Sequence, residues 1–313
     1  MGVCEGPRSH NLMQMTFETA FAAYEAVRHR LPQASARSDG FGMVRTLDDI
    51  AAQFDVFLLD AFGVLNIGET AIPGVADRIE GLRRQGKRVM VVSNASGYPH
   101  AALMEKYGRL GFDFSPEEVV TSRLTMLSAL SGREPRRWGL MATRATGLRD
   151  LETLDLVYLE EDERAYSEVE GFLLVGSAMW TETRQALLET ALRDRPRPVL
   201  VGNPDIVAPR ERGFSIEPGH YAHRLADATG ITPEFFGKPF ANIFDLALAR
   251  LGPRPAKDRV IMVGDSLHTD ILGAQTAGIA SALVAGYGFF AERDANAAIA
   301  QAGIVPDFVL ERP

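Results

Sequence analysis

Four stretches of the chain carry residues that could act together on a phosphoryl group. Asp60 follows the apolar run Val56-Phe57-Leu58-Leu59, and Ser93-Asn94 follow Val89-Met90-Val91-Val92. Lys238 lies between Gly237 and Pro239, while Asp265 follows Val260-Ile261-Met262-Val263-Gly264, with Asp270 five residues on. An aspartate can serve as a nucleophile that forms an aspartyl phosphate. Asp60 and Asp265 at one place would repel each other unless a positive charge lay between them. An oxygen-rich site with few protein ligands suits Mg²⁺, which keeps several waters and accepts phosphate oxygen. Lys238 would offset the charge of the phosphoryl group and of Asp60, and Ser93 and Asn94 would supply neutral donors. Asp270 reads either as support for the metal or as an acid favoured at a helix N-terminus. Taken alone, each is ordinarily a turn former, a cap or a surface lysine; the common position of Asp60, Ser93-Asn94 and Asp265 just after apolar runs sets those three apart.

The elements that must position them follow from periodicity. A continuous apolar run is the mark of a strand buried on both faces of a parallel sheet. Val56–Leu59, a helix near 74–85 and Val89–Val92 make a strand–helix–strand unit, and Val260–Val263 with Ala282–Val284 make another. The expected fold is α/β, a doubly wound parallel sheet of Rossmann type, which binds ligands at the carboxyl ends of its strands. Between the two halves, apolar runs at 155–159, 171–175 and 198–201 and a helix over 181–193 point to an inserted α/β domain. The expected division is an N-terminal extension over 1–45, a core of 46–121 plus 233–313, and the insertion over 122–232. Within the extension, Phe17, Ala20, Phe21, Tyr24 and Val27 predict an amphipathic helix over 15–28 that docks on the main body. Residues 32–42 read as a linker, and a short helix starts near Leu47 after the cap candidate Thr46.

The 313 residues carry a net charge of −8, with no basic stretch to match a phosphate backbone, which argues against nucleic acid as partner. No apolar run is long enough to span a membrane and the first residues lack a signal-peptide core, so a cytoplasmic location is the default. Cys4 is the only cysteine, excludes an internal disulfide and is given no role. The expected partner is a small phosphorylated substrate, with homodimerisation left open. A phosphate loop, a dinucleotide-binding glycine motif and the nucleophile elbow of α/β hydrolases are all absent.

Asp60-Ala61-Phe62-Gly63-Val64, Ser93-Asn94, Gly237-Lys238-Pro239 and Gly264-Asp265 with Thr269-Asp270 resemble, in order, the four motifs of the haloacid dehalogenase (HAD) phosphatases. The insertion after the second motif, with Gly202-Asn203-Pro204-Asp205 near its end, resembles the cap of the NagD-like class IIA members. The resemblance covers residues 50–290. It implies an Mg²⁺-dependent phosphohydrolase acting on a small sugar- or nucleotide-phosphate-like metabolite through an aspartyl phosphate on Asp60. It also implies a metal held by Asp60, Asp265 and the main-chain carbonyl of Phe62, supported by Asp270, with the phosphoryl group held by Ser93, Asn94 and Lys238. Asn203 and Asp205 are the cap candidates for substrate contact, and a plain Asn-Pro-Asp turn is the alternative. The family pattern places a second aspartate, the general acid and base, where this chain has Phe62. Such help is worth roughly 10²–10⁴ in rate. Its absence bears hardest on alkoxide leaving groups and less on acyl phosphates or phosphoanhydrides; Glu69 and His268 are candidate substitutes. The alternative is a catalytically silent binding or regulatory protein that keeps the pocket. Phosphonate cleavage through a cap lysine is disfavoured, because no lysine occurs from Glu134 through Gly237.

Overall fold

In the computed structural model, which describes residues 15–33, 40–210, 213–253 and 255–313, the apolar runs become parallel strands. Cys4 and much of the expected linker lie outside the described residues. In chain order, β1 (Gly42–Val44), β2 (Val56–Leu59), β3 (Arg88–Ser93) and β4 (Val119–Thr121) come first. A second group follows: β5 (Arg137–Met141), β6 (Asp155–Tyr158), β7 (Gly171–Leu174), β8 (Val199–Val201), the hairpin β9 (Val207–Pro209) and β10 (Phe214–Ile216), and β11 (Glu234–Phe235). The chain then returns with β12 (Val260–Gly264), β13 (Ala280–Val284) and β14 (Phe308–Leu310).

The main sheet has the order β1-β14-β13-β12-β2-β3-β4, with every pairing parallel. Its strands are apolar throughout because both faces are covered. Phe57 and Leu59 point into one layer with Val75, Ile79 and Leu82 of the helix Val75–Arg84. Val56 and Leu58 point into the other, against Ile243, Phe244 and Ala247 of the helix Ala241–Arg250. This alternation with a period of two is what a doubly wound sheet requires. Leu59 lies opposite Val263 on one side and Val91 on the other, so the register brings the carboxyl ends of β2, β12 and β3 to one edge.

A second parallel sheet, β11-β8-β7-β5-β6, is drawn from residues 137–235. One face packs on the helices Glu182–Asp194 and Pro218–Thr229, and the other on Met126 and Leu130 of the helix Ser122–Leu130. Two pieces of the main sheet gave no clear sequence signal. Gly42–Val44, placed in the N-terminal extension by sequence, is the sheet's edge strand, paired with β14 near the far end of the chain. Three-residue strands are too short for periodicity to reveal.

The N-terminal helix α1 (Phe17–Ala26) begins with a capping box between Thr16 and Thr19 and buries Ala20, Phe21 and Tyr24. It touches both sheets' connecting segments. The Glu25 carboxylate meets His268 Nε2 at 2.5 Å, and the His268 ring stacks on Tyr24 with centroids 5.0 Å apart. On the other side, the Tyr24 hydroxyl accepts the Ile206 N–H at 3.1 Å, and Arg30, just beyond the helix, pairs with Asp227. Burial, then nearby Asp205, push the Tyr24 phenol well above its ordinary pKa, so it stays protonated. Tyr24→Phe keeps the packing but leaves a buried N–H unpartnered, so it should cost about 1–3 kcal/mol in urea unfolding, with faster hydrogen exchange at the Ile206 amide.

Candidate functional site

Asp60 extends the ladder by one residue, its N–H donating to Val263 O at 2.9 Å, and its side chain leaves the sheet at the strand end. The chain then turns back on itself through Gly63 N–H to Asn66 O and Asn66 N–H to Ala61 O. Gly63 has φ +72°, and a Cβ there would fall 2.4 Å from Asp265 Oδ2, so only glycine lets this loop reach the second carboxylate. Gly264 is required in the same way, since its Cβ would meet Asp270 Cγ at 2.0 Å.

Four charged groups converge beyond these glycines. Lys238 Nζ lies 2.6 Å from Asp60 Oδ1 and 2.7 Å from Asp270 Oδ1, although Lys238 is only 1% exposed and Asp270 not at all. Carboxylate oxygens of Asp60, Asp265 and Asp270 all lie within 4.8 Å of one another. Two are further held by main-chain donors: Asp265 Oδ2 accepts Phe289 N–H at 2.8 Å, and Asp270 Oδ2 accepts Ser266 N–H at 3.1 Å. Burial alone would depress Lys238, but Asp270 and Asp60 outweigh it and hold the ammonium above its ordinary pKa. Asp265 is pushed well up by burial and then by Asp60 and Asp270; burial likewise lifts Asp270 to about 7, with Lys238 opposing. Three crowded carboxylates with one ammonium are short of positive charge, and the donor set is all oxygen. A divalent cation fits such a cluster.

Every other residue singled out in the sequence has a defined place. Ser93 is buried at the end of β3, where its hydroxyl oxygen accepts Ala95 N–H at 3.3 Å and its own hydrogen remains to be donated. Asn94 accepts Lys238 N–H at 2.7 Å and spends both amide hydrogens, on Lys238 O at 2.8 Å and Asp205 Oδ1 at 2.7 Å. Its side chain therefore positions Lys238 rather than offering a free donor to phosphate. Asn203 caps the Asn-Pro-Asp turn, its Oδ1 accepting Asp205 N–H at 2.9 Å, and donates to Glu217 at 3.2 Å. Asn203 and Asp205 thus latch the segment after β8 onto Asn94. Glu69 is engaged by Lys106 at 2.8 Å, and His268 is turned toward Glu25.

Sequence reasoning missed Tyr24 as a tie to the 206 segment, Phe289 as a donor to Asp265, and Arg210 and Glu217 beside the turn. Helical spacing exposes Tyr24 only as a packing residue, and a main-chain donor such as Phe289 N–H leaves no trace in residue type.

Asp205 is lifted to about 8, first by burial and against the Asn94 bond, so in the fold it holds its proton across neutral pH. A carboxyl raised above its unfolded value favours folding while protonated, and that contribution fades as pH rises toward 8. The buried His223, depressed to about 4, and His220 and His268, also depressed by burial, act with the opposite sign as pH rises through the unfolded imidazole value near 6.5, so within a window from 6.5 to 8.5 they oppose this trend only at the acid end. In metal-free urea titrations over that window the wild type should lose stability with rising pH. Asp205→Asn, which keeps the acceptor for Asn94, should lose less.

The sequence model of the haloacid dehalogenase-like hydrolases matches residues 57–156, and a HAD-hydrolase-like model matches residues 235–311. An acid sugar phosphatase of Staphylococcus aureus is 30% identical over 228 residues, covering 72% of this chain and 85% of that protein. Among solved structures, a possible sugar phosphatase of the HAD superfamily from Cytophaga hutchinsonii superposes with TM-score 0.76 at 26% identity, covering 87% of this chain and 98% of the other. A glycerol phosphate phosphatase from Mycobacterium tuberculosis, in complex with magnesium, gives 0.66 at 25% identity over 83% and 75% of the two chains. A putative NagD protein gives 0.61 at 26% identity over 74% and 88%. With these matches and the α/β architecture in hand, the chain belongs to the haloacid dehalogenase-like hydrolases, in their NagD-like class.

Proposed function

We propose that the protein is a phosphatase of small phosphorylated metabolites, with Asp60 as the nucleophile and residues 122–235, which carry the second sheet through β11, as the cap over it. The observation that carries this reading is Lys238, buried and bridging Asp60 to Asp270 at the carboxyl edge of a parallel sheet. A lysine so placed is ion-paired with Asp60 and presents positive charge where a phosphoryl group would sit. The similar phosphatases from S. aureus and M. tuberculosis support the same reaction class.

Asp60, Asp265 and the Phe62 carbonyl would hold Mg²⁺, and Asp270 would support it. When bound, the ion neutralises phosphate oxygens and helps align them for in-line attack. The chain's own residues do the rest. An Asp60 carboxylate oxygen attacks phosphorus as the phosphorus–oxygen bond to the leaving group breaks and that group departs, the Ser93 hydroxyl and Lys238 ammonium hold the phosphoryl oxygens, and Asn94 fixes the main chain of Lys238. Water then hydrolyses the aspartyl phosphate. Positioning and charge supply most of the rate in transfers of this kind.

Phosphate release from a panel of phosphate esters and acyl phosphates, with Mg²⁺ and with EDTA, tests the reading. Wild type should release phosphate only with the metal, and Asp60→Asn should lose at least about 10³-fold in kcat, as expected for removal of a nucleophile. Equal rates for the two proteins on every substrate would sink it.

A further inference from the structure

Phe62 stands two residues after Asp60 with its ring partly exposed, and what faces that ring is positive. Lys106 Nζ lies 5.3 Å from the ring centroid, and Arg210 Cζ 5.4 Å from it. Lys106, from the helix His100–Arg109, spends two of its three N–H groups on Gly68 O at 2.9 Å and Glu69 at 2.8 Å. Arg210 follows β9 and is aimed across the hairpin by Ser215 Oγ at 2.8 Å and Glu217 Oε1 at 3.1 Å. That uses its Nε and one Nη2 hydrogen, so three of the five guanidinium N–H groups have no partner among the described residues. A cation–π contact seats the guanidinium on the ring without consuming those donors.

The carboxylates nearby are already committed: Glu69 to Lys106, Glu217 to Arg210, Ser215 and Asn203, and Asp205 to Asn94. A carboxylic acid in place of the ring would sit between two cations that stabilise its ionised form, and would hold its proton poorly. The surroundings of position 62 therefore suit an anion that arrives there better than a proton that leaves.

We propose that Arg210, seated on Phe62, receives the leaving group as an anion, and that the substrates are phosphorylated acids whose leaving oxygen needs no proton, namely acyl phosphates or phosphoanhydrides. The proposal rests on the phosphatase reading of Asp60. An Asp60 oxygen bonds to phosphorus as the phosphorus–oxygen bond to the leaving group breaks. The electron pair stays on the departing oxygen, which leaves as a carboxylate or phosphate beside Arg210, whose planar fork matches either anion. In the second step the water oxygen joins phosphorus, both water protons end on the released phosphate, and Asp60 returns as a carboxylate. Neither step takes a proton from position 62.

The test compares kcat/KM, which reports the first step, for acetyl phosphate, pyrophosphate and glycerol phosphate in full-length protein with Mg²⁺. Acetyl phosphate and pyrophosphate separate the acyl from the anhydride source, and either one preferred over glycerol phosphate by about 10²-fold or more supports the proposal. Arg210→Gln should lower kcat/KM for the preferred substrate about tenfold and lower glycerol phosphate several-fold less, since its leaving oxygen does not match the planar fork, with Arg210→Lys restoring only part of the loss because a point charge keeps the attraction but not the fork. Phe62→Asp should lower the preferred substrate without a gain on glycerol phosphate, because the new carboxylate would neutralise Arg210. Ratios between substrates within one variant do not depend on how much of it folds. The proposal is overturned by an equal fall on all substrates in Arg210→Gln, by a tenfold or greater gain on glycerol phosphate in Phe62→Asp, or by a wild type that favours glycerol phosphate. In that last case the phosphatase reading stands; a wild type that releases phosphate from nothing removes both.

Discussion

One buried ammonium holds the site together. Lys238 is the only cation in contact with Asp60 and Asp270 among the described residues, and it reaches them from a segment held by Asn94. Unpaired buried charge is costly, and removing one partner of such a pair commonly costs about 3–5 kcal/mol. The strand register, the glycines that let loops approach and the Asn94 clamp are all conditions for this contact. With them in place, the main sheet's edge carries three carboxylates within 4.8 Å at the cost of one lysine and whatever cation joins it.

The latch around Asn94 ties this charge cluster to the second sheet. Asp205 bonds to Asn94, Asn203 bonds to Asp205 and to Glu217, and Glu217 holds Arg210. Ser96 adds a hydrogen bond to Val175 O at the end of β7. A chain of bonds therefore runs from the main chain of Lys238 to the hairpin that leans on Phe62. The intervening groups are buried or partly buried, so the hairpin and Asn94 belong to one connected set of hydrogen bonds.

Much of this was legible in the sequence, for a physical reason. A strand buried on both faces must be apolar, so Val56–Leu59, Val89–Val92 and Val260–Val263 stand out, and polar residues right after them must lie at the sheet's carboxyl edge. That is how Asp60, Ser93 and Asp265 could be grouped before any coordinates. Lys238 carries no such signal: a lysine between glycine and proline looks like any surface residue, and its burial follows from a tertiary arrangement. Asn94 could be located but its job could not, since an amide at a strand end reads equally as ligand donor or as clamp. The short strands β1 and β14, the hairpin and the ties made by α1 depend on pairings between distant residues, which periodicity does not encode. Phe62 was visible as a departure from the family pattern, yet the cations around it come from residues 106 and 210, which nothing local connects to it.

Helix α1 has a consequence of a different kind. Its apolar face, Phe21 and Tyr24, is covered by Ile206, Val207, Leu267, Phe289 and Phe290. Synthesis runs from the N-terminus at about 5–20 residues per second, so α1 leaves the ribosome tens of seconds before the last of those partners exists. For that interval the nascent chain carries an apolar stripe whose covering residues have not yet been made.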